Sequence, residues 1–179
     1  MNTQGAVIFL IRTLLDLATF LILIRFLLQL VKADFYNPIS QMVVRLTNPV
    51  LEPLRKLIPA KNLVDGAALV MILVLIVLKA LLIIKLQGMT TVAPAAVLLF
   101  TIHSLAHLLL NFFFWAVLIS VLLSWVLPDP YHPFAQIVRS LTEPVMAPAR
   151  RILPPMGGLD LSPILVLLAI QFLMVLFNG

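Results

Sequence analysis

Long runs of apolar residues alternate with shorter, proline-containing stretches along this chain. A helix needs about 20 mostly apolar residues to cross a bilayer, and four runs meet this requirement. They predict membrane-spanning helices at residues 8–31, 66–86, 103–127 and 161–177. The third run is already apolar from Pro94, which predicts an interfacial turn that leads into the span near His103. The fold class expected is an all-α membrane protein with four transmembrane helices.

An amphipathic stretch separates the two spans in each half of the chain. These stretches cover residues 38–59 and 133–154. Their apolar side chains recur at helical spacing, and Pro38 and Pro133 suit a first helical turn. Pro49 and Pro144 fall inside the periodic segments, where proline lacks an N–H and clashes with the preceding turn. Each stretch is therefore predicted to form a helix–break–helix along the membrane interface.

The two halves match without a gap when the chain is shifted by 95 positions. The matched pairs include Thr47 with Thr142, Pro49 with Pro144, Pro53 with Pro148, Arg55 with Arg150, Pro59 with Pro154, and Asp65 with Asp160. Such self-similarity at a fixed spacing indicates an internal duplication. Because each copy contains two spans, both copies are expected to cross the membrane in the same direction. The sequence predicts parallel tandem repeats over residues 1–88 and 89–179.

The composition places this chain in lipid. It is 63% hydrophobic and 11% charged, whereas soluble domains are about 45–50% apolar and about 25% charged. Its net charge of +5 fits basic loops that face the cytoplasm and anionic lipid, and nucleic-acid binding is not expected. Because the chain has no cysteine, disulfides and thiolate metal sites are excluded.

Basic residues in the amphipathic stretches predict the orientation. Cytoplasmic loops are enriched in Lys and Arg, so both stretches are placed on the cytoplasmic face of the membrane. The residues expected to contact headgroups or a partner there are Arg55, Lys56, Arg150 and Arg151. Arg12, Lys79 and Lys85 would then lie near the outer ends of the spans, which argues mildly against this orientation.

The duplicated motif resembles a known family. The pattern Leu-Thr-x-Pro-Val-x-x-Pro-x-Arg, followed by an Asp, is similar to that of the YggT (YlmG) family of small membrane proteins. The second half also carries Leu-Ser-Trp at 123–125 and Gly-Gly-Leu-Asp-Leu-Ser-Pro at 157–163, whereas the first half has Leu-Gln-Leu at 28–30 and Asp-Gly-Ala-Ala at 65–68. If these residues carry an activity, the second copy is the expected bearer. The resemblance implies a link to osmotic stress and envelope physiology in bacteria, and to membrane biogenesis in photosynthetic organelles.

Polar residues inside the predicted spans form a candidate cluster. The shift by 95 positions aligns Arg12 with His107 and Asp16 with Asn111. Intramembrane polar groups usually face the bundle and satisfy each other, and the sharper alternative is a proton or ion relay. His103 and His107 are one turn apart, but two ligands do not make a zinc site, so no metal or other cofactor is expected.

Other charged residues have simple structural interpretations. Long cationic side chains near helix ends reach for headgroups. Arg25 is therefore expected to do so, or to meet Asp34 or Asp129. Lys79 is likewise expected to extend toward the headgroups, and the alternative is an ion pair with Asp16, its acidic candidate within the spans.

Asp65 and Asp160 precede the second span of each repeat. An acidic residue at a helix N-terminus caps free N–H groups and opposes the positive end of the dipole. Capping is the expected role of both residues, and docking of a partner is the alternative.

The sequence predicts a non-enzymatic protein. It contains no Gly-rich phosphate loop, no Gly-x-Ser-x-Gly elbow and no His-Glu-x-x-His. The function expected is a membrane scaffold or assembly factor at the cytoplasmic leaflet, in contact with anionic headgroups and with a membrane-protein partner or further copies of itself. The alternative is a small oligomeric ion channel or transporter that uses the cluster Arg12, Asp16, His107 and Asn111.

Overall fold

The computed structural model describes residues 3–58, 64–86, 93–126, 129, 131–153 and 160–178, and its elements are helices. They are α1 (Thr3–Leu30), α2 (Pro38–Leu57), α3 (Gly66–Leu86), α4 (Pro94–Val126), α5 (Pro133–Ile152) and α6 (Ser162–Asn178). Some predicted features lie outside the described residues: Pro59, Pro154 and the Gly-Gly-Leu at 157–159.

Three helices are long and apolar enough to cross a membrane: α1 from Gly5 to Leu30, α3 and α4. The helix α6 is apolar over Ser162–Phe177 but shorter. Its 17 residues measure about 25 Å at about 1.5 Å per residue, against a hydrocarbon core of about 30 Å. Among the described residues, length and composition together therefore support three spans, and a fourth depends on this shorter helix.

The helix α4 is continuous over 33 residues from Pro94. The predicted interfacial turn between Pro94 and His103 is therefore wrong. Proline at the first position of a helix initiates it, because its missing N–H would have no partner there. The amides of Ala96 and Val97 both donate to the carbonyl of Ala93, and no further proline interrupts the helix.

The helices α2 and α5 are also continuous, so the predicted helix–break–helix is wrong. Pro49 and Pro53 lie inside α2, and Pro144 and Pro148 lie inside α5. Each proline leaves the carbonyl four residues earlier without its helical donor. The two prolines of each helix are four residues apart and all four are exposed, so the missing bonds fall on one accessible face. Water or headgroups can satisfy the freed carbonyls there.

The same turn precedes both amphipathic helices. The amide of Tyr36 donates to Asp34 Oδ1 at 2.9 Å, and the amide of Tyr131 donates to Asp129 Oδ1 at 2.9 Å. The matched residues of the repeat thus adopt matched local structure. Asn37 then caps α2, because its Oδ1 accepts from the amide of Ile39 at 2.9 Å.

The chain forms two compact units. The first comprises Met1–Phe26 and Val43–Leu105, and its buried side chains include Leu23, Leu51, Ala68 and Ile72. The second comprises Leu27–Met42 and Ala106–Gly179. Its core is a cluster of Val117, Met146, Ala149, Val166 and Ile170 from α4, α5 and α6.

The start of α2 belongs to the second unit. There the side-chain nitrogen of Asn37 donates to the carbonyl of Pro133 at 2.9 Å, which joins the first turns of α2 and α5. The compact units therefore do not coincide with the halves defined by the sequence repeat.

Candidate functional site

The two motif aspartates begin the helices that follow them. Asp65 Oδ1 accepts from the amide of Ala68 at 3.2 Å, which is the N-cap contact expected for α3. Asp160 Oδ1 accepts from the amide of Ser162 at 2.9 Å, at the start of α6. Ser162 is itself fully buried, and its hydroxyl donates to the carbonyl of Leu153 at 3.1 Å. The contact between Ser162 and Leu153 connects the end of α5 to the start of α6.

Each aspartate also receives an arginine from the amphipathic helix ten residues earlier. Arg55 donates to Asp65 Oδ2, and Arg150 Nε donates to Asp160 Oδ2 at 3.2 Å. Arg150 Nη1 additionally lies 2.9 Å from both carboxylate oxygens of Glu143. The sequence predicts that both arginines contact headgroups or a partner. In the structure each arginine forms an ion pair with a carboxylate of the same chain. Asp65 is 0% exposed, so Arg55 compensates a buried charge.

The ion pairs of the second unit shift the pKa values of Arg150 and Asp160. The hydrogen bond to Glu143, with a smaller contribution from Asp160, raises the pKa of Arg150 above its usual value. Partial burial raises the pKa of Asp160, but hydrogen bonds from Ser162 and Arg150 outweigh this and hold the pKa below its usual value. Both groups are therefore charged at neutral pH.

In the first unit, a buried arginine joins α1 to α2. Arg25 is 6% exposed. Its Nη1 donates to Val44 O at 2.9 Å, Thr47 Oγ1 at 2.7 Å and Asn48 Oδ1 at 2.6 Å. Both expectations for Arg25, a headgroup contact or a pair with Asp34 or Asp129, are wrong. The reason is that α2 lies close enough to offer three oxygens around one nitrogen.

In the second unit, the corresponding region is a cavity of about 390 Å³. It lies between the end of α4, one face of α5 and the start of α6. Its polar lining consists of Ser120, Ser124, Arg139, Thr142, Arg150 and Asp160, and Trp125 and Pro163 also contribute. Many of the distinctive residues of the second-half motif therefore border one cavity: Leu-Ser-Trp at 123–125, Thr142, Arg150, Asp160 and Pro163.

One difference between the units lies at a pair of positions that the sequence pattern did not single out. A shift of 95 positions carries Arg25 onto Ser120. The acceptor residues of Arg25 correspond to Arg139, Thr142 and Glu143. Extending the repeat comparison to this pair would have revealed a long side chain replaced by a short one. It would not have revealed that Arg25 is buried.

The predicted intramembrane cluster is distributed over both units. In the first unit Asp16 on α1 forms an ion pair with Lys79 on α3. This is the alternative that the sequence offered for Lys79. Arg12 lies on α1, and its Nε is buried without a hydrogen bond among the described residues.

In the second unit Asn111 Nδ2 donates to the carbonyl of His107 at 3.0 Å within α4. Lys79 corresponds to Met174 under the shift, and Met174 packs against the apolar core of this unit. The ion pair of the first unit is thus replaced by an amide and a thioether in the second. The described residues contain no group of three His, Asp or Glu side chains placed to hold a metal ion.

Both amphipathic helices end in an exposed cation, Lys56 in α2 and Arg151 in α5. The helix α2 also exposes an apolar row at intervals of four residues, formed by Met42, Leu46 and Val50. The exposed surface of α2 therefore combines apolar side chains with cationic ones.

Both halves of the chain match one known protein family. A profile described as CCB3/YggT matches residues 4–86 and again 99–179. An uncharacterized protein of Pseudomonas aeruginosa is 44% identical over 169 residues, 94% of this chain and 86% of the relative. Uncharacterized protein YggT of Escherichia coli K12 is 36% identical over 160 residues, 89% of this chain and 82% of the relative.

A shorter match is found in a red alga. Uncharacterized protein ycf19 of Porphyra purpurea is 35% identical over 65 residues, 35% of this chain and 67% of the relative. No solved structure gives a significant match. The names of these relatives state no activity.

Proposed function

This chain belongs to the CCB3/YggT family, and on that premise we propose that it is a non-enzymatic membrane scaffold or assembly factor acting at the cytoplasmic leaflet. Its four apolar helices span a bacterial inner membrane as two parallel repeats, with α6 as the shortest span. The helices α2 and α5 lie along the cytoplasmic surface. The apolar spans hold a membrane-protein partner.

The observation that carries this proposal is the way each amphipathic helix is held. An Arg–Asp ion pair fixes the end of α2 to the start of α3 and the end of α5 to the start of α6. In α2 the buried Arg25 adds a second attachment. A helix held in this way presents its remaining surface at a fixed position.

The exposed surface of α2 fits an anionic lipid surface. The row Met42, Leu46 and Val50 is apolar, and Arg45 and Lys56 are exposed beside it. Amphipathic helices that combine apolar and cationic residues bind at the headgroup boundary. Each cation near an anionic leaflet contributes about 1 kcal/mol.

Cysteine accessibility tests the placement. Because the chain has no cysteine, Lys56→Cys and Arg151→Cys each introduce a single reactive thiol. In intact cells we expect an impermeant maleimide to miss both positions and to reach them after the inner membrane is opened. Ala93→Cys is the opposite-face control and is expected to react in cells whose outer membrane has been permeabilised. Labelling of Lys56→Cys and Arg151→Cys from opposite sides contradicts the parallel repeat.

Crosslinking tests the scaffold. A photoreactive residue at exposed Leu168 on α6 should join one defined membrane protein in reproducible yield. The same residue at buried Leu23 is the matched negative control. If only further copies of this chain are recovered, the protein self-assembles and is not a scaffold for another protein. If Leu168 and Leu23 give equal patterns, the proposal fails.

An ion-flux measurement separates the scaffold from a channel or transporter. The Asp16–Lys79 ion pair leaves Asp16 compensated within the spans, which favours a structural role. We expect liposomes containing the purified chain to show no flux above empty liposomes. A flux that disappears in Asp16→Ala would establish the transporter instead.

A further inference from the structure

Three charged side chains border the cavity of the second unit, and one of them is unpaired. Arg150 Nε donates to Asp160 Oδ2 at 3.2 Å, so these two charges compensate each other. Arg139, the third, is exposed and takes part in none of the four ion pairs formed among the described residues. The charged lining of the cavity therefore carries one net positive charge, which belongs to Arg139.

Glu143 does not neutralise Arg139. It is the acidic residue of α5 and lies four positions after Arg139, a spacing at which helical side chains can meet. Both of its carboxylate oxygens instead lie 2.9 Å from Arg150 Nη1, and Glu143 itself lies outside the cavity lining. The N–H donors of the Arg139 guanidinium are therefore available to a ligand.

Ser120 supplies a second available donor. Serine hydroxyls within helices commonly bond to a carbonyl three or four residues earlier, as Ser124 does to Val121 at 2.7 Å and Ser140 to Gln136 at 2.9 Å. The hydroxyl of Ser120 forms no hydrogen bond within the part of the chain that the structure describes, and it borders the cavity. A free hydroxyl and a free guanidinium in one cavity suit an anion.

The first unit has no comparable pair of free donors at these positions. A shift of 95 positions carries Arg25 onto Ser120 and Val44 onto Arg139. Arg25 is 6% exposed and donates to oxygens of α2, so its charge is satisfied within the chain. In the second unit the arginine belongs to α5 instead, where it is exposed and borders an open cavity. The duplicated positions have thus exchanged an internal contact for a candidate ligand site.

The size of the cavity and the apolar part of its lining favour a lipid headgroup over a simple ion. Its volume of about 390 Å³ is within the range of about 300–1,000 Å³ typical of small-molecule pockets. Val121, Leu123 and Met146 contribute apolar side chains to the lining. Trp125, 76% exposed, borders the cavity at the end of α4, and tryptophan is enriched at the level of lipid headgroups.

We propose that this cavity binds the headgroup of one anionic phospholipid of the phosphatidylglycerol type, with its phosphate at Arg139 and Ser120. Arginine binds phosphate oxygens through paired N–H donors, and the single negative charge of this headgroup equals the net charge of the lining. A zwitterionic headgroup fits less well, because the carboxylate of Asp160 is bonded to Arg150 and to the amide of Ser162 and is not free for an ammonium.

The inference goes beyond the scaffold function, because it concerns one bound lipid in the second unit and not the leaflet that α2 contacts. The cysteine-accessibility and crosslinking experiments do not depend on it. Loss of the lipid site would leave their results unchanged, so a failure of either proposal can be recognised separately.

The test uses the full-length, delipidated chain in detergent, with bound lipid counted by native mass spectrometry. Phosphatidylglycerol should bind at one molecule per chain. Phosphatidylethanolamine and phosphatidylcholine should bind about tenfold more weakly or worse, because each brings an ammonium that finds no free carboxylate in the cavity. Equal retention of phosphatidylglycerol and phosphatidylethanolamine would overturn the proposal.

Two arginines of α5 provide the matched pair. Arg139→Gln removes the unpaired charge of the cavity and should weaken phosphatidylglycerol binding at least tenfold, since a hydrogen bond between charged groups is lost. Arg151→Gln removes the same charge from an exposed position of the same helix outside the cavity lining, and affinity should stay within about twofold. Equal losses in the two variants would show a general attraction to the charge of α5 and would refute the site.

Substitutions at Ser120 test the cavity itself. Ser120→Leu places an apolar side chain in the cavity and should weaken binding about tenfold. Ser120→Ala keeps the space and loses one neutral hydrogen bond, for which about threefold is expected. Unchanged binding in Ser120→Leu would refute the site, and if that variant does not fold, unchanged binding in Ser120→Ala would refute the contact of the phosphate with Ser120.

A competition with glycerophosphoglycerol, the same headgroup without acyl chains, separates the two sources of the group. Displacement only at concentrations far above those of the lipid supports a lipid ligand. Displacement at equal concentration supports the same chemistry in a soluble molecule and overturns the assignment to lipid.

Discussion

The guanidinium of Arg25 connects α1 to α2 in the first unit. It is buried, and three oxygens on α2 accept from it. Arg25→Met should lower the free energy of unfolding by about 2–3 kcal/mol, because charged hydrogen bonds are lost and their acceptors stay buried. Equilibrium unfolding in mixed micelles measures the change. Arg45→Met, at an exposed arginine of α2, is the control, and its cost is expected to stay within about 0.5 kcal/mol.

Asp160 predicts a dependence of stability on pH. Its pKa in the folded chain lies below the usual value of 3.8. The ionised carboxylate therefore adds stability above that value, and this stability is lost as the pH falls through the lower, folded-state pKa. Asp160→Asn should accordingly be less stable than the wild-type chain at pH 7 and should approach it at pH 3. A difference that stays constant between these pH values would contradict the ion pair with Arg150.

Residue roles could be predicted where the contact is local. The capping roles of Asp65 and Asp160 follow from their position before an apolar run, and the acceptor–donor pairs are two or three residues apart. The partners of Arg25 are 19 to 23 residues away. No local sequence pattern indicates that α2 folds back against α1. The prediction that Arg25 contacts headgroups was therefore wrong.

The prolines of α2 and α5 show how an element can tolerate a residue that normally ends it. Pro49 removes the donor to the carbonyl of Arg45, and both residues are exposed. Pro49→Ala should restore that hydrogen bond and raise the free energy of unfolding, by up to about 3 kcal/mol on helix propensity alone.

Hydrogen exchange at residue 49 of the Pro49→Ala variant would show the restored bond as a protected amide. Pro38→Ala, at the first position of α2, is the control, because proline is favourable there and no gain is expected. A loss of stability in Pro49→Ala would show that the proline shapes the helix for the Arg55–Asp65 contact.

The helices themselves were largely predictable, and the errors have one cause. The apolar pattern located α1 to α6 to within two residues, except at the starts of α1 and α4. Proline was interpreted as a break at Pro49 and as a turn at Pro94, although its effect depends on position and exposure. Pro94 begins a helix, and the prolines of α2 lie on its accessible face. Exposure is a tertiary property, which the pattern of one segment does not contain.

Across the whole molecule, equivalent positions of the two repeats carry an ion pair in one repeat and uncharged side chains in the other. The first pairs Asp16 with Lys79, and the second has Asn111 and Met174 there. Copying the second repeat into the first gives Asp16→Asn with Lys79→Met. Each single change should cost about 2–3 kcal/mol by leaving an unpaired charge within a span, and the double change should cost less than about 1 kcal/mol.

A double-mutant cycle in mixed micelles measures this coupling. Additive single effects would show that the Asp16–Lys79 contact contributes nothing.

The duplication itself and its register were readable from sequence. The compact units were not, because residues 27–42 join the second unit through contacts such as that between Asn37 and Pro133, which no repeat alignment contains.

The unequal lengths of α4 and α6 have a mechanical consequence. At about 1.5 Å per residue, the 33 residues of α4 measure about 50 Å, and even a tilt of about 40° leaves roughly 38 Å along the bilayer normal. In the proposed arrangement, in which α6 also spans the bilayer, this helix of about 25 Å is mismatched in the opposite sense. Lipid would then stretch beside one helix and compress beside the other, and tension that thins the bilayer would change the free energy of this protein.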